Sequence, residues 1–196
     1  MRGYPRAYAG QRIGLFGGSF DPAHDGHAHV ADTARKRLGL DAVWWLVSPQ
    51  NPLKAASSAL QGRMASAQAM APGPRHRVTD VETRIGTRFT VDTLAALRRR
   101  YPGVRFVFVM GADGMADFTR WRRWRQVLDQ APVFILSRPR VRVAARFAKP
   151  FSPGRRRPAD RTFPSRAPPA FAYLPARLHP ANSTALRALR GSANMG

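Results

Sequence analysis

The stretch Gly17-Gly18-Ser19-Phe20-Asp21-Pro22-Ala23-His24-Asp25-Gly26-His27 continues an apolar run at 12–17 and precedes a helical pattern. A strand, a tight polar turn and a helix in that order present a phosphate to a helix N-terminus. The two glycines let the backbone turn and approach a ligand with no Cβ in the way. Ser19 offers a hydroxyl and an amide, and Asp25 can cap a helix that starts near Gly26. His24 and His27 stand three residues apart, so both imidazoles can face one point. There they can donate hydrogen bonds to oxygens that gain charge during phosphoryl transfer. The same pair would also suit a metal ion, with Asp21 or Asp25 as further ligands, and His24 would suit a solvated loop. No Gly-Lys-Ser/Thr follows, so this is not a Walker A loop.

Outward from this segment, short apolar runs alternate with helical patterns. Residues 12–17, 42–48, 76–81, 105–110, 132–136 and 171–174 read as strands. Val30, Ala34 and Leu38 repeat every four residues and form one apolar helix face. Further helices are expected over 57–70 and over 90–101, the latter with a Val91, Leu94 and Leu97 stripe. Such alternation predicts parallel strands joined by right-handed crossovers, a Rossmann-like doubly wound α/β sheet with a small C-terminal strand–helix part. The expected organisation is an extension at 1–11, a main domain at 12–148, a Pro/Arg-rich loop at 149–169 and a C-terminal part of the same domain at 170–196. Six prolines in 149–169 exclude a helix or central strand there, so an extended, mobile surface loop is expected.

Composition narrows the class. The 196 residues suit one α/β domain, and 44% hydrophobic content argues against wholesale disorder. Cysteine is absent, which excludes disulfides, thiolate catalysis and cysteine-bound zinc. No apolar run resembles a signal peptide or a membrane span, so a cytoplasmic protein without membrane partners is expected. The net charge of +22 attracts polyanions. Much of it is local: residues 138–166 hold ten Lys or Arg against one acid, which reads first as a solvated basic loop and second as a nucleic-acid surface.

The 17–27 segment resembles the GSFDPxHxGH signature of the nucleotidyltransferase superfamily. Asn182-Ser183-Thr184-Ala185-Leu186-Arg187 resembles the ISSTxIR motif of the same superfamily, with Asn182 in place of serine. Pro49-Gln50-Asn51-Pro52-Leu53-Lys54, Phe89-Thr90-Val91-Asp92-Thr93-Leu94, Gly111-Ala112-Asp113 and Phe118-Thr119-Arg120-Trp121-Arg122-Arg123-Trp124 are similar to segments of bacterial nicotinate-nucleotide adenylyltransferases. Phe89 stands where that family commonly has tyrosine.

The resemblance implies adenylyl transfer from ATP, carried with Mg2+, to nicotinate mononucleotide in NAD biosynthesis. Transition-state and phosphate contacts would fall to His24, His27, Lys54 and Arg187. ATP would meet Gly17, Gly18, Ser19, Phe20, Gly111, Asp113, Ser183 and Thr184. Asp113 would equally suit a helix cap. The mononucleotide would meet Asn51, Thr90, Val91, Trp121 and Arg122, with Trp121 stacking on the pyridine and Trp124 packing inside. A resident metal site is not expected, and a homo-oligomer is compatible with the reading. Nicotinamide mononucleotide and phosphopantetheine are the alternative acceptors, and a basic nucleic-acid-binding protein is the alternative of another class.

Overall fold

The computed structural model describes residues 4–49, 58–137 and 156–175, without the side chains of 112, 113 and 116. Asn51, Lys54, Ser183, Thr184 and Arg187 therefore lie outside the described residues, as does the side chain of Asp113.

Each apolar run becomes a strand: β1 (Arg12–Gly18), β2 (Ala42–Val47), β3 (His76–Thr79), β4 (Arg105–Gly111), β5 (Val133–Ser137) and β6 (Phe171–Pro175). They form one sheet in the order β3-β2-β1-β4-β5-β6. Every neighbouring pair is parallel. Both faces of the sheet are covered, which explains why the strands are apolar almost throughout rather than alternating. Phe106, Phe108 and Met110 point into one core, with helix residues Val91, Leu94 and Val127. Val107 and Val109 point into the other, with Val30, Ala34 and Leu38.

The helices are α1 (Asp25–Leu38), α2 (Leu60–Met70), α3 (Val81–Arg84), α4 (Thr90–Arg100), α5 (Ala112–Asp117) and α6 (Trp124–Gln130). Helix α1 ends at Gly39, whose φ of 60° is left-handed, and Leu40 N–H closes onto the Arg35 carbonyl. The expected third strand is shorter than 76–81, because Thr79 Oγ1 accepts the Val81 amide and turns the chain into α3. Helix α6 was not foreseen, since seven residues carry too little periodicity to read.

The proline-rich segment departs from the expected mobile loop over its described part, 156–169. Arg156 bridges to Phe171 in parallel fashion, and Arg157 N–H donates to the Phe171 carbonyl at 2.8 Å. Phe163 is fully buried in the core beside α1. Proline bars regular structure but does not prevent docking, and one phenylalanine anchors the segment. Among the described residues, no helix is long and apolar enough to cross a membrane.

Candidate active site

Sheet order reverses between β1 and β4, and a ligand crevice in such a sheet lies at the carboxyl ends of those two strands. Gly18 ends β1, and a Cβ there would sit 3.0 Å from the Phe20 ring, tighter than ordinary van der Waals contact, so a larger residue would press the ring aside. Phe20 holds a positive φ of 49° and is buried, packed edge-on against Phe16 and His27. Gly111 ends β4 and is the N-cap of α5, which carries the Asp113 backbone.

The N-cap of α1 is His24, with Asp25 already in the first turn. This corrects the expectation that Asp25 would cap. His24 N–H donates to His27 Nδ1 at 3.2 Å, so a neutral His27 carries its proton on Nε2. The two imidazoles stack with centroids 3.8 Å apart, as the three-residue spacing implied.

Beside this turn lies a cavity of about 290 Å³. Gly17, Gly18 and Ser19 form one wall; Phe89, Thr90, Trp121 and Arg122 form the other. Helix geometry leaves the Thr90 and Val91 amides without intrahelical acceptors, and Thr90 lines this space, so the positive end of the α4 dipole lies beside it. The Val91 side chain itself is core. Trp121 stands edge-on to Phe108, with centroids 5.9 Å apart, and Arg122 lies 4.7 Å over the Phe89 ring. An Asp92–Arg123 ion pair ties the start of α4 to the tryptophan loop. Trp124 packs on Phe118 and does not line the cavity. His24, His27, Phe20 and Gly111 do not line it either, so the expected site falls into two parts joined by 17–19.

Two residues at the site escaped the sequence reading. Arg63 of α2 is 2% exposed and clamps four carbonyls. Its Nε donates to Ser58 at 2.8 Å, Nη1 to Ser19 at 2.9 Å and Ser48 at 2.7 Å, and Nη2 to Pro49 at 2.9 Å. Burial draws its pKa below the ordinary arginine value, and the Asp21 charge opposes that. Glu82 of α3 is buried against the cavity. Burial raises its pKa, while hydrogen bonds from Thr93 and Ser48 act the other way. The only signal for Arg63 was a lone charge on a helix of small residues; Glu82 left none.

A family model described as cytidylyltransferase-like matches residues 15–188. A Roseobacter denitrificans protein is 48% identical over 97% of this chain and 98% of its own length. A Caulobacter protein is 52% identical over 90% and 96%. Both are described as probable nicotinate-nucleotide adenylyltransferases. Among solved structures, a Plasmodium falciparum nicotinic acid mononucleotide adenylyltransferase complexed with NaAD is similar, with a TM-score of 0.72 over 91% of this chain and 83% of that one. At 17% identity that likeness speaks for the fold. With the phosphate turn at the switch point and near-half identity over nine-tenths of its length, this chain belongs to the nicotinate-nucleotide adenylyltransferase family.

Proposed function

We propose that the protein transfers the adenylyl group of ATP to nicotinate mononucleotide, giving deamido-NAD and diphosphate. A phosphate oxygen of the mononucleotide attacks the α-phosphorus in line. The new P–O bond forms as the bond to diphosphate breaks, and diphosphate leaves with the electron pair. No covalent enzyme intermediate is required, so the protein contributes position and charge.

The observation that carries this reading is the start of α4 opening into the aromatic cavity. Amides of Thr90 and Val91, with Arg122 beside them, suit a carboxylate on a flat ring, and Trp121 offers that ring an apolar face. An amide-bearing ring would give these donors one acceptor oxygen and no charge. Gly17, Gly18, Ser19 and Phe20 shape the ATP phosphate turn, with Gly111 and Asp113 across the crevice. His24 and His27 meet the α-phosphate, where the Nε2–H set by the His24 amide makes His27 a donor. Lys54, Arg187, Ser183 and Thr184 hold the remaining phosphates, and Asn51 borders the mononucleotide.

Magnesium enters with ATP and shields the leaving diphosphate. Among the described residues, no cluster of three His, Asp or Glu is placed to cage a metal ion. The test is diphosphate release from magnesium-ATP with nicotinate mononucleotide, its amide and phosphopantetheine at equal concentration. The acid should give the highest kcat/KM, and release with none of the three would end the enzymatic reading.

One observation favours a second reading. Arg37, Arg156, Arg157 and Arg161, with Asp160, line a separate cavity of about 730 Å³ beside Tyr173 that shares no residue with the phosphate turn. A nucleic-acid protein built on this cavity would bind oligonucleotides with steep salt dependence, independently of His24 and His27.

A further inference from the structure

The cavity wall opposite the phosphate turn is assembled from two distant segments, the start of α4 with Phe89 and Thr90, and the turn with Trp121 and Arg122. Arg122 lies over the Phe89 ring where the two meet. Helix α6 follows the tryptophan turn directly, and both of its ends are fastened to the first turn of α4. At its N-cap, Arg123 pairs with Asp92 across 31 positions. At its last residue, Gln130 Nε2 donates to the Val91 carbonyl at 3.1 Å. Val91 and Asp92 follow Thr90 directly, so both ties grip residues next to one that lines the cavity.

Neither tie adds much to folding. Arg123 and Asp92 form an exposed pair, with side chains 45% and 38% accessible, and such pairs contribute little. Arg123 also holds a left-handed conformation, φ 49° and ψ 41°, which glycine would adopt at no steric cost. Among the described residues, Phe20 in the phosphate turn is the other non-glycine residue with positive φ, and both border the site. Trp124 N–H, donating to the Trp121 carbonyl at 3.2 Å, closes the turn that carries Arg123. Gln130 bonds a carbonyl that helix geometry already supplies with a donor inside α4. Its own Oε1 is buried and meets no donor among the described residues. One extra bond to a satisfied carbonyl, set against that oxygen, leaves little net gain in stability. What the two ties share is the place of the α4 start relative to Trp121 and Arg122.

We propose that Arg123 and Gln130 are positioning residues: they fasten α6 as a spacer that fixes the first turn of α4 against the Trp121–Arg122 turn, and so set the fit of the pyridine mononucleotide. Neither lines the cavity. Loosening either end lets the two halves of that wall shift against each other, while the phosphate turn stays held by Arg63. The effect therefore falls on the mononucleotide and not on ATP. This rests on nicotinate mononucleotide as the acceptor.

The experiment measures kcat and KM for both substrates, with Tm alongside, in the full-length native chain and in Gln130→Met, Arg123→Gly, Asp92→Asn and the double variant Asp92→Asn/Arg123→Gly. Methionine keeps the length of glutamine without the donor, and glycine takes the left-handed conformation without the guanidinium. Each single variant should raise KM for nicotinate mononucleotide about threefold to tenfold, with KM for ATP within about twofold of native and Tm within about 3 °C. The double variant should resemble its single parents, because both remove the same contact. Arg123→Lys, which keeps the charge, should recover most of the native KM. An unchanged KM for the mononucleotide in every variant would overturn the proposal and leave the function standing. So would KM values for both substrates that rise together, or effects of Asp92→Asn and Arg123→Gly that multiply. A Gln130→Met protein whose Tm falls by about 10 °C would make Gln130 a folding residue and overturn its assigned part. A native enzyme that releases no diphosphate with nicotinate mononucleotide would overturn the function, and this inference with it.

Discussion

Replacing Arg63 with methionine should loosen the phosphate turn from beneath. The guanidinium makes four hydrogen bonds between 2.7 and 2.9 Å to the Ser19, Ser48, Pro49 and Ser58 carbonyls. At about 1.5–3 kcal/mol for a bond to a charged group, independent bonds would total about 6–12 kcal/mol. The net loss is smaller, because the buried guanidinium already costs several kcal/mol of desolvation and the freed carbonyls partly rehydrate. Removing one member of such a network typically costs about 3–5 kcal/mol. For a domain of this size that is a fall in Tm of about 10 °C. Arg63→Lys keeps the charge but has three donors on a flexible stem, so it cannot serve four fixed carbonyls and should lose about 2 kcal/mol. Urea unfolding gives the first quantity, and KM for ATP, raised because the Ser19 carbonyl anchors the turn, gives the second. A methionine variant within about 1 kcal/mol of native, with unchanged KM for ATP, would show that the clamp is not what holds the turn.

Other perturbations separate the remaining parts. His27→Ala should lower kcat about 100-fold to 1000-fold while ATP affinity measured by calorimetry changes less than about threefold; near-normal turnover would remove His27 from the chemistry. Trp121→Ala should raise KM for nicotinate mononucleotide about fivefold to tenfold with KM for ATP unmoved, and Trp121→Phe should recover most of it. Phe163→Ala should cost about 3–5 kcal/mol in chemical denaturation, a loss that a solvated loop residue would not produce. His76 is buried, its Nδ1 accepts from Trp45 Nε1 at 3.3 Å, and burial lowers its pKa while Asp32 opposes the shift. The unfolded chain takes up this proton first, so the His76 contribution is present above about pH 6.5 and is lost as pH falls toward the folded pKa. His76→Gln, which still accepts from Trp45, should flatten that part of the stability profile measured by urea titration.

How much of this was legible in sequence follows from the range of the interactions involved. The strand runs are short unbroken apolar stretches and the α1 stripe repeats at helical spacing, both local patterns, and a doubly wound sheet is the arrangement that buries both faces of such strands. The glycine turn, the histidine pair and the helix start lie within eleven consecutive residues, so the two imidazoles meet by helix geometry alone. Assigning the cap to Asp25 failed within that same window, because His27 Nδ1 takes the His24 amide and fixes His24 as the last extended residue. A side chain's choice among nearby amides is decided by its surroundings.

Tertiary structure decided the rest. Arg63 reaches back 44 positions to Ser19 and 15 to Ser48, and no local pattern marks a side chain whose partners are carbonyls of distant loops. Glu82 carries no mark in the sequence and becomes a buried group only once α3 turns under α4. The proline-rich segment behaves likewise: over its described part it forms one short 3-10 turn, Phe163–Ser165, in place of the wholly extended loop expected, and Phe163 finds a site in the core that only the assembled sheet and α1 create. The sequence by itself determined the architecture and the phosphate turn, because those arise from neighbours along the chain. Folding decided what clamps the turn, what lines the cavity and which acid is buried, because burial and long-range hydrogen bonds exist only after the layers have packed.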